Sequence, residues 1–110
     1  NLATEAKEMT PELKARFDAE IQTHKIVIYM KGNALFPMCG FSARAVDLLK
    51  PFGALHTIDV MKEPEVRDGI KAYSKWPTIP QVYINGKFVG GSDIVSELAE
   101  RGELEALVKG

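Results

Sequence analysis

Cysteine occurs once in the 110 residues, at Cys39. No internal disulfide can form, which fits a compartment that keeps thiols reduced. An excess of one charge is also missing: 14 basic residues stand against 15 acidic ones, for a net charge of −1. That balance removes nucleic acid and anionic membrane surfaces from the expected partners. No apolar run is long enough to span a bilayer. The opening Asn1-Leu2-Ala3-Thr4-Glu5-Ala6-Lys7 holds no signal-peptide core, so the protein is expected not to be secreted. The chain starts on Asn1 rather than Met, and an upstream segment is expected to have been removed, a transit peptide being one such segment. His24 and His56 are the only histidines, with no Cys or His at metal-ligand spacing, and both are read as structural or surface residues.

What is present suffices for one globular domain, with 45% hydrophobic and 26% charged residues. Residues 1–9 read as a flexible N-terminal segment and 10–110 as the domain. Thr10-Pro11-Glu12 reads as a helix start: a capping hydroxyl, a proline in the first turn, then an acid facing the dipole. Leu13, Phe17 and Ile21 follow at helical spacing. Lys25 to Met30 reads as a buried strand and Leu55 to Val60 as an alternating one. Between them the helical pattern after Cys39 ends at Pro51. Glu63-Pro64-Glu65 opens a further helix to about Tyr73, with Val66, Ile70 and Tyr73 on one face. Gln81–Ile84 and Lys87–Val89 read as strands joined by Asn85-Gly86, the strongest short hairpin signal. Gly90-Gly91 breaks the chain, Ser92-Asp93 caps a helix through Leu98, Gly102 interrupts it, and Leu104 to Lys109 continues it. This order predicts an α/β fold: a four-stranded mixed sheet with helices on both faces, preceded by an extra N-terminal helix.

Cys39 is the residue on which the chemistry turns. It lies where a strand-to-helix loop meets a helix N-terminus, among Pro37, Gly40 and Ser42 rather than among core residues. A buried structural cysteine is the competing reading. Unpaired N–H groups and the helix dipole stabilise a thiolate there by ~0.3–1 kcal/mol, or ~2 if partly buried. That lowers its pKa by up to roughly a unit, and Lys31 at the mouth of the loop adds to the effect. Position 42 is a serine, which cannot attack a mixed disulfide at neutral pH, so Cys39 acts without a resolving partner in its own chain.

Lys31-Gly32, Cys39-Gly40-Phe41-Ser42, Trp76-Pro77-Thr78-Ile79-Pro80-Gln81-Val82 and Gly90-Gly91-Ser92-Asp93 together resemble the monothiol glutaredoxins of the Cys-Gly-Phe-Ser type. The likeness runs in register from about residue 25 to the C-terminus. It implies the thioredoxin fold, glutathione binding, and carriage of a [2Fe–2S] cluster between two protomers, with delivery to acceptor proteins. By the same pattern Lys31 and Arg67 ion-pair with the glycine carboxylate of glutathione, and Lys71, one turn after Arg67, is placed to share that role. The pattern implies a cis bond before Pro80, with the backbone N–H and C=O of Ile79 pairing in strand fashion with the cysteinyl unit. On local residues alone, Trp76–Pro80 is a rigid turn and Gly90–Asp93 a strand end and helix cap. The resemblance adds Asp93 as acceptor for the γ-glutamyl ammonium, with Ser92 and the helix N-terminus binding its carboxylate. Many relatives carry a second cysteine where this chain has Ser92, so their internal disulfide is excluded here.

Met30 and Met38 read as packing residues, Trp76 and Phe41 as covers for the thiol and the core edge, with Phe41 shielding a cluster. Such a cluster usually takes four thiolates. Two chains supply two through Cys39, and two bound glutathiones supply the rest. The expectation is a homodimer when the cluster is bound and a monomer when it is not, with iron–sulfur scaffold and acceptor proteins as partners. The compartment is the mitochondrial matrix or a bacterial-type cytoplasm. Two other classes stay open: a glutathione-dependent thiol–disulfide oxidoreductase with Cys39 as nucleophile, and a redox or iron-signalling interaction module.

Overall fold

A computed structural model describes residues 9–110. The reading of residues 1–8 as flexible lies outside them, while Met9 is partly buried against the core. In chain order come α1 (Pro11–Thr23), β1 (Ile26–Met30), α2 (Gly40–Leu49) with a 3-10 turn (Lys50–Phe52), β2 (Leu55–Asp59), α3 (Pro64–Ser74), β3 (Gln81–Ile84), β4 (Lys87–Gly90), α4 (Ser92–Glu100) and α5 (Leu104–Lys109). The strands lie in the order β2-β1-β3-β4. β1 runs parallel to β2 and antiparallel to β3, and β3 is antiparallel to β4. This is the four-stranded mixed sheet of the thioredoxin fold, with the extra N-terminal helix in place.

All five β1 residues are buried, which is why they read as one apolar run. The period of two splits them between two cores. Ile26, Ile28 and Met30 pack with Val46, Leu49, Val95 and Leu104 of α2, α4 and α5. Val27 and Tyr29 pack with Phe17 and Ile21 of α1 and Val66 and Ile70 of α3. Met30 is therefore core, as expected. Met38 is not: it is 64% exposed.

Several boundaries differ from the sequence reading. Lys25 precedes the strand and Val60 follows β2, α3 runs to Ser74, and α4 runs to Glu100. The hairpin forms at Asn85-Gly86, where φ values of 51 and 80 put both residues in the left-handed region that a tight two-residue turn demands. His24 and His56, distant in sequence, stack with ring centroids 3.8 Å apart. The pair arises because His24 closes α1 just before β1, while His56 stands opposite Val27 on β2.

Candidate functional site

The chain between β1 and α2 is a tight loop. Met38 N–H donates to Lys31 C=O at 2.9 Å and Asn33 N–H donates to Phe36 C=O at 3.3 Å. Gly32 has φ of +84, and a Cβ there would lie 2.3 Å from the Phe36 carbonyl oxygen, so only glycine fits. The Asn33 side chain accepts from both Leu35 and Phe36 N–H at 2.9 Å. That turn leaves Leu35 83% and Phe36 72% exposed. With Met38 and Phe41, both 64% exposed, they put four exposed apolar side chains within four residues of Cys39 along the chain. Phe41 does not cover the core edge as expected, because it points outward from the first turn of α2.

Cys39 itself is the N-cap of α2, and the helix begins at Gly40. Its Sγ accepts from the Ser42 N–H at 3.4 Å. The Ser42 hydroxyl lies 3.3 Å from Sγ and accepts from the Lys31 N–H at 3.2 Å. Ser42 is fully buried. Partial burial raises the thiol pKa, but the Ser42 hydroxyl, the Ser42 and Phe41 N–H groups and the Lys31 charge outweigh it, leaving Cys39 below its ordinary value. The sequence pattern credited the helix end and Lys31. The hydroxyl at position 42, noted only as a missing thiol, is the larger local contributor.

Lys31, at the start of the thiol loop, and Phe41, two residues after Cys39, line a groove of about 750 Å³ whose wall does not include Cys39 itself. Lys31, Arg67, Ile79, Ser92 and Asp93, scattered over 63 positions of sequence, all stand on its wall, and Lys71 joins them. Arg67 Nε is paired to Asp68 at 3.3 Å, an exposed contact that a ligand carboxylate can displace at small cost. The Ile79–Pro80 bond is cis, as the resemblance implied. Trp76 lines the groove and packs on Phe88 with ring centroids 5.6 Å apart, so it does cover the core edge.

At the far end, α4 begins at Ser92 with Gly91 as N-cap and no side-chain cap bond. Ser92 is thus the first helical residue, and it is buried; Asp93 in the first turn is exposed. The expected Ser92-Asp93 cap is absent because the extended residue preceding the helix is Gly91. What remains is a concave surface that takes in the first turns of two helices, Phe41 from α2 and Ser92 and Asp93 from α4.

Among the described residues, no group of three or more His, Cys, Asp and Glu could hold a metal ion. No helix there is long and apolar enough to cross a membrane.

The glutaredoxin family model matches residues 26–89. The chain is 51% identical over 102 residues to an uncharacterized monothiol glutaredoxin of Synechocystis, covering 92% of this chain and 95% of that one. It is 38% identical to the mitochondrial monothiol glutaredoxin-5 of Schizosaccharomyces pombe, covering 99% and 77%. The solution structure of reduced poplar apo GrxS14 superposes with a TM-score of 0.80 at 44% identity, covering 91% and 93%. With these likenesses, and with one thiol capping the helix after β1 beside a groove, the chain belongs to the monothiol glutaredoxins.

Proposed function

We propose that the groove binds glutathione and that two copies of the chain, each with one glutathione, carry a [2Fe–2S] cluster for transfer to acceptor proteins. The observation that carries this reading is the position of Cys39: a partly buried, activated thiol, two residues before Phe41 on the wall of a charged groove and flanked in sequence by exposed apolar side chains. Lys31 and Arg67, with Lys71 beside them, hold the glycine carboxylate, the Ile79 backbone pairs with the cysteinyl unit, and Asp93 with the open end of α4 takes the γ-glutamyl group.

The donor set fits the cargo. A two-iron cluster asks for about four thiolates, and each chain has one. Two glutathione sulfurs complete the set, and these are exchangeable, which suits a carrier. Leu35, Phe36, Met38 and Phe41 form an exposed apolar collar, and a second protomer closing over it shields the cluster from water. The same thiol suits a reductant, and slow deglutathionylation is compatible with this site. The lack of a resolving thiol favours the carrier. A compartment with reduced thiols, mitochondrial as named for the fission yeast relative or bacterial-type cytoplasmic, fits a free Cys39.

Anaerobic reconstitution tests the proposal. With glutathione present, the expected product is a coloured dimer with about one iron per chain, reverting to monomer on cluster loss. An iron-to-chain ratio near four, or holo-protein formed without any low-molecular-weight thiol, overturns it.

A further inference from the structure

A fully buried carboxamide lies beneath the groove wall. Gln81 is 0% exposed and starts β3 directly after Pro80. Its Nε2 donates to the Trp76 carbonyl at 2.9 Å and to the Thr78 carbonyl at 3.3 Å. Its Oε1 accepts from the Tyr83 hydroxyl at 3.3 Å. Two carbonyls can only accept, so the NH2 end must face them and the amide has one orientation. From the other side, Ser74 Oγ accepts from the Trp76 N–H at 3.1 Å and donates to Ile70 C=O at 3.0 Å.

The neighbours Val82 and Ile84 are apolar and buried, and packing against β1 asks nothing more of position 81. A buried amide is costly unless every polar group finds a partner. Here two of the three partners are backbone carbonyls of the turn that presents Ile79 to the groove. We infer that Gln81 is a positioning residue: its carboxamide ties the Trp76 and Thr78 carbonyls inward and so aims the Ile79 backbone at the cysteinyl unit of the ligand. The inference rests on the reading of the groove as a glutathione site.

The test uses one exchange reaction with two disulfides. The Cys39 thiolate attacks one sulfur of glutathione disulfide, a Cys39–glutathione S–S bond forms, the original S–S bond breaks, and a glutathione thiolate leaves with the electron pair. Bis(2-hydroxyethyl) disulfide reacts in the same way but carries no peptide backbone for Ile79 to meet. The ratio of the two equilibrium constants therefore isolates recognition from thiol chemistry and from fold.

Gln81→Met is expected to lower that ratio about tenfold, as for loss of an aligned hydrogen bond, with the hydroxyethyl constant changed by less than about twofold. A ratio equal to the parent's overturns the inference. Lys31→Ala is the companion: if it lowers the ratio and Gln81→Met does not, the groove reading stands and the role of Gln81 falls. A parent protein that shows no preference for glutathione removes both. Should Gln81→Met fail to fold, Tyr83→Phe decides. It frees one end of the carboxamide, and a fall of about two- to threefold supports the inference while an unchanged ratio sinks it.

Discussion

Two helix N-termini face the same groove and are finished in opposite ways. α2 is capped by Cys39, whose sulfur accepts the Ser42 N–H, so the positive end of that helix is already turned on the thiol. α4 begins after Gly91 with no side-chain cap, so its N–H groups stay available to a ligand. One terminus is turned on a thiol and the other is left open, so the way a helix end is capped decides what its N–H groups can still bind. A conventional cap residue at 91 in place of glycine adds only a few tenths of a kcal/mol to the helix, and it would occupy the donors that the proposed γ-glutamyl contact uses.

The largest expected effect comes from breaking the thiol-capped end. Cys39→Ser abolishes cluster assembly and glutathionylation while keeping a cap-competent side chain, so thermal stability is retained. Cys39→Ala abolishes both functions and also loses the cap, at a cost of about 0.5–2 kcal/mol. Chemical denaturation of the two variants separates the roles; equal stabilities mean that the sulfur does not cap α2.

Removing the charge at the open end is the next step down. Asp93→Ala is expected to weaken glutathione binding by about 1–3 kcal/mol, the range for a charged hydrogen bond. Calorimetric titration checks it, and parent-like affinity would show that the γ-glutamyl end lies elsewhere.

The smallest effect sharpens the comparison. Ser42→Ala deletes the hydroxyl 3.3 Å from the sulfur, so the pH profile of Cys39 alkylation should move to higher pH. The sign for stability follows. The Cys39 pKa is depressed in the folded protein, so the folded state releases the thiol proton first. Its contribution is fully present above the unfolded pKa and is lost as pH falls through the folded one. Ser42→Ala should shrink that pH-dependent contribution. An unchanged alkylation profile would assign the shift to the backbone N–H groups and Lys31 alone.

Much of the fold was legible because local signals agreed with one another. The Asn85-Gly86 turn, the Thr10-Pro11 helix start and the apolar run of β1 each have a short-range cause. The thiol's place at a strand-to-helix junction was legible for the same reason. The capping details were not. Cys39 caps α2 through its sulfur and Gly91 precedes α4 with no side chain to offer, while the residue pattern favoured Ser92-Asp93 as the second cap. Met38 read as a packing residue, and Phe41 as a cover for the core edge, because composition cannot tell an exposed apolar side chain from a buried one. The stacked His24 and His56 and the Gln81 carboxamide left no pattern, since each depends on partners from other elements or on the path of a turn.

The alternation of helices and strands, the lone sulfur and the family follow from residue order, because propensity, turn chemistry and motif spacing are written along the chain. Tertiary structure alone decided that residues from 31 to 93 meet in one groove, that Ser42 supports the thiol and that Gln81 holds the Trp76 and Thr78 carbonyls. Those outcomes come from how two cores pack on opposite faces of one sheet, and burial of that kind joins residues that are distant in sequence.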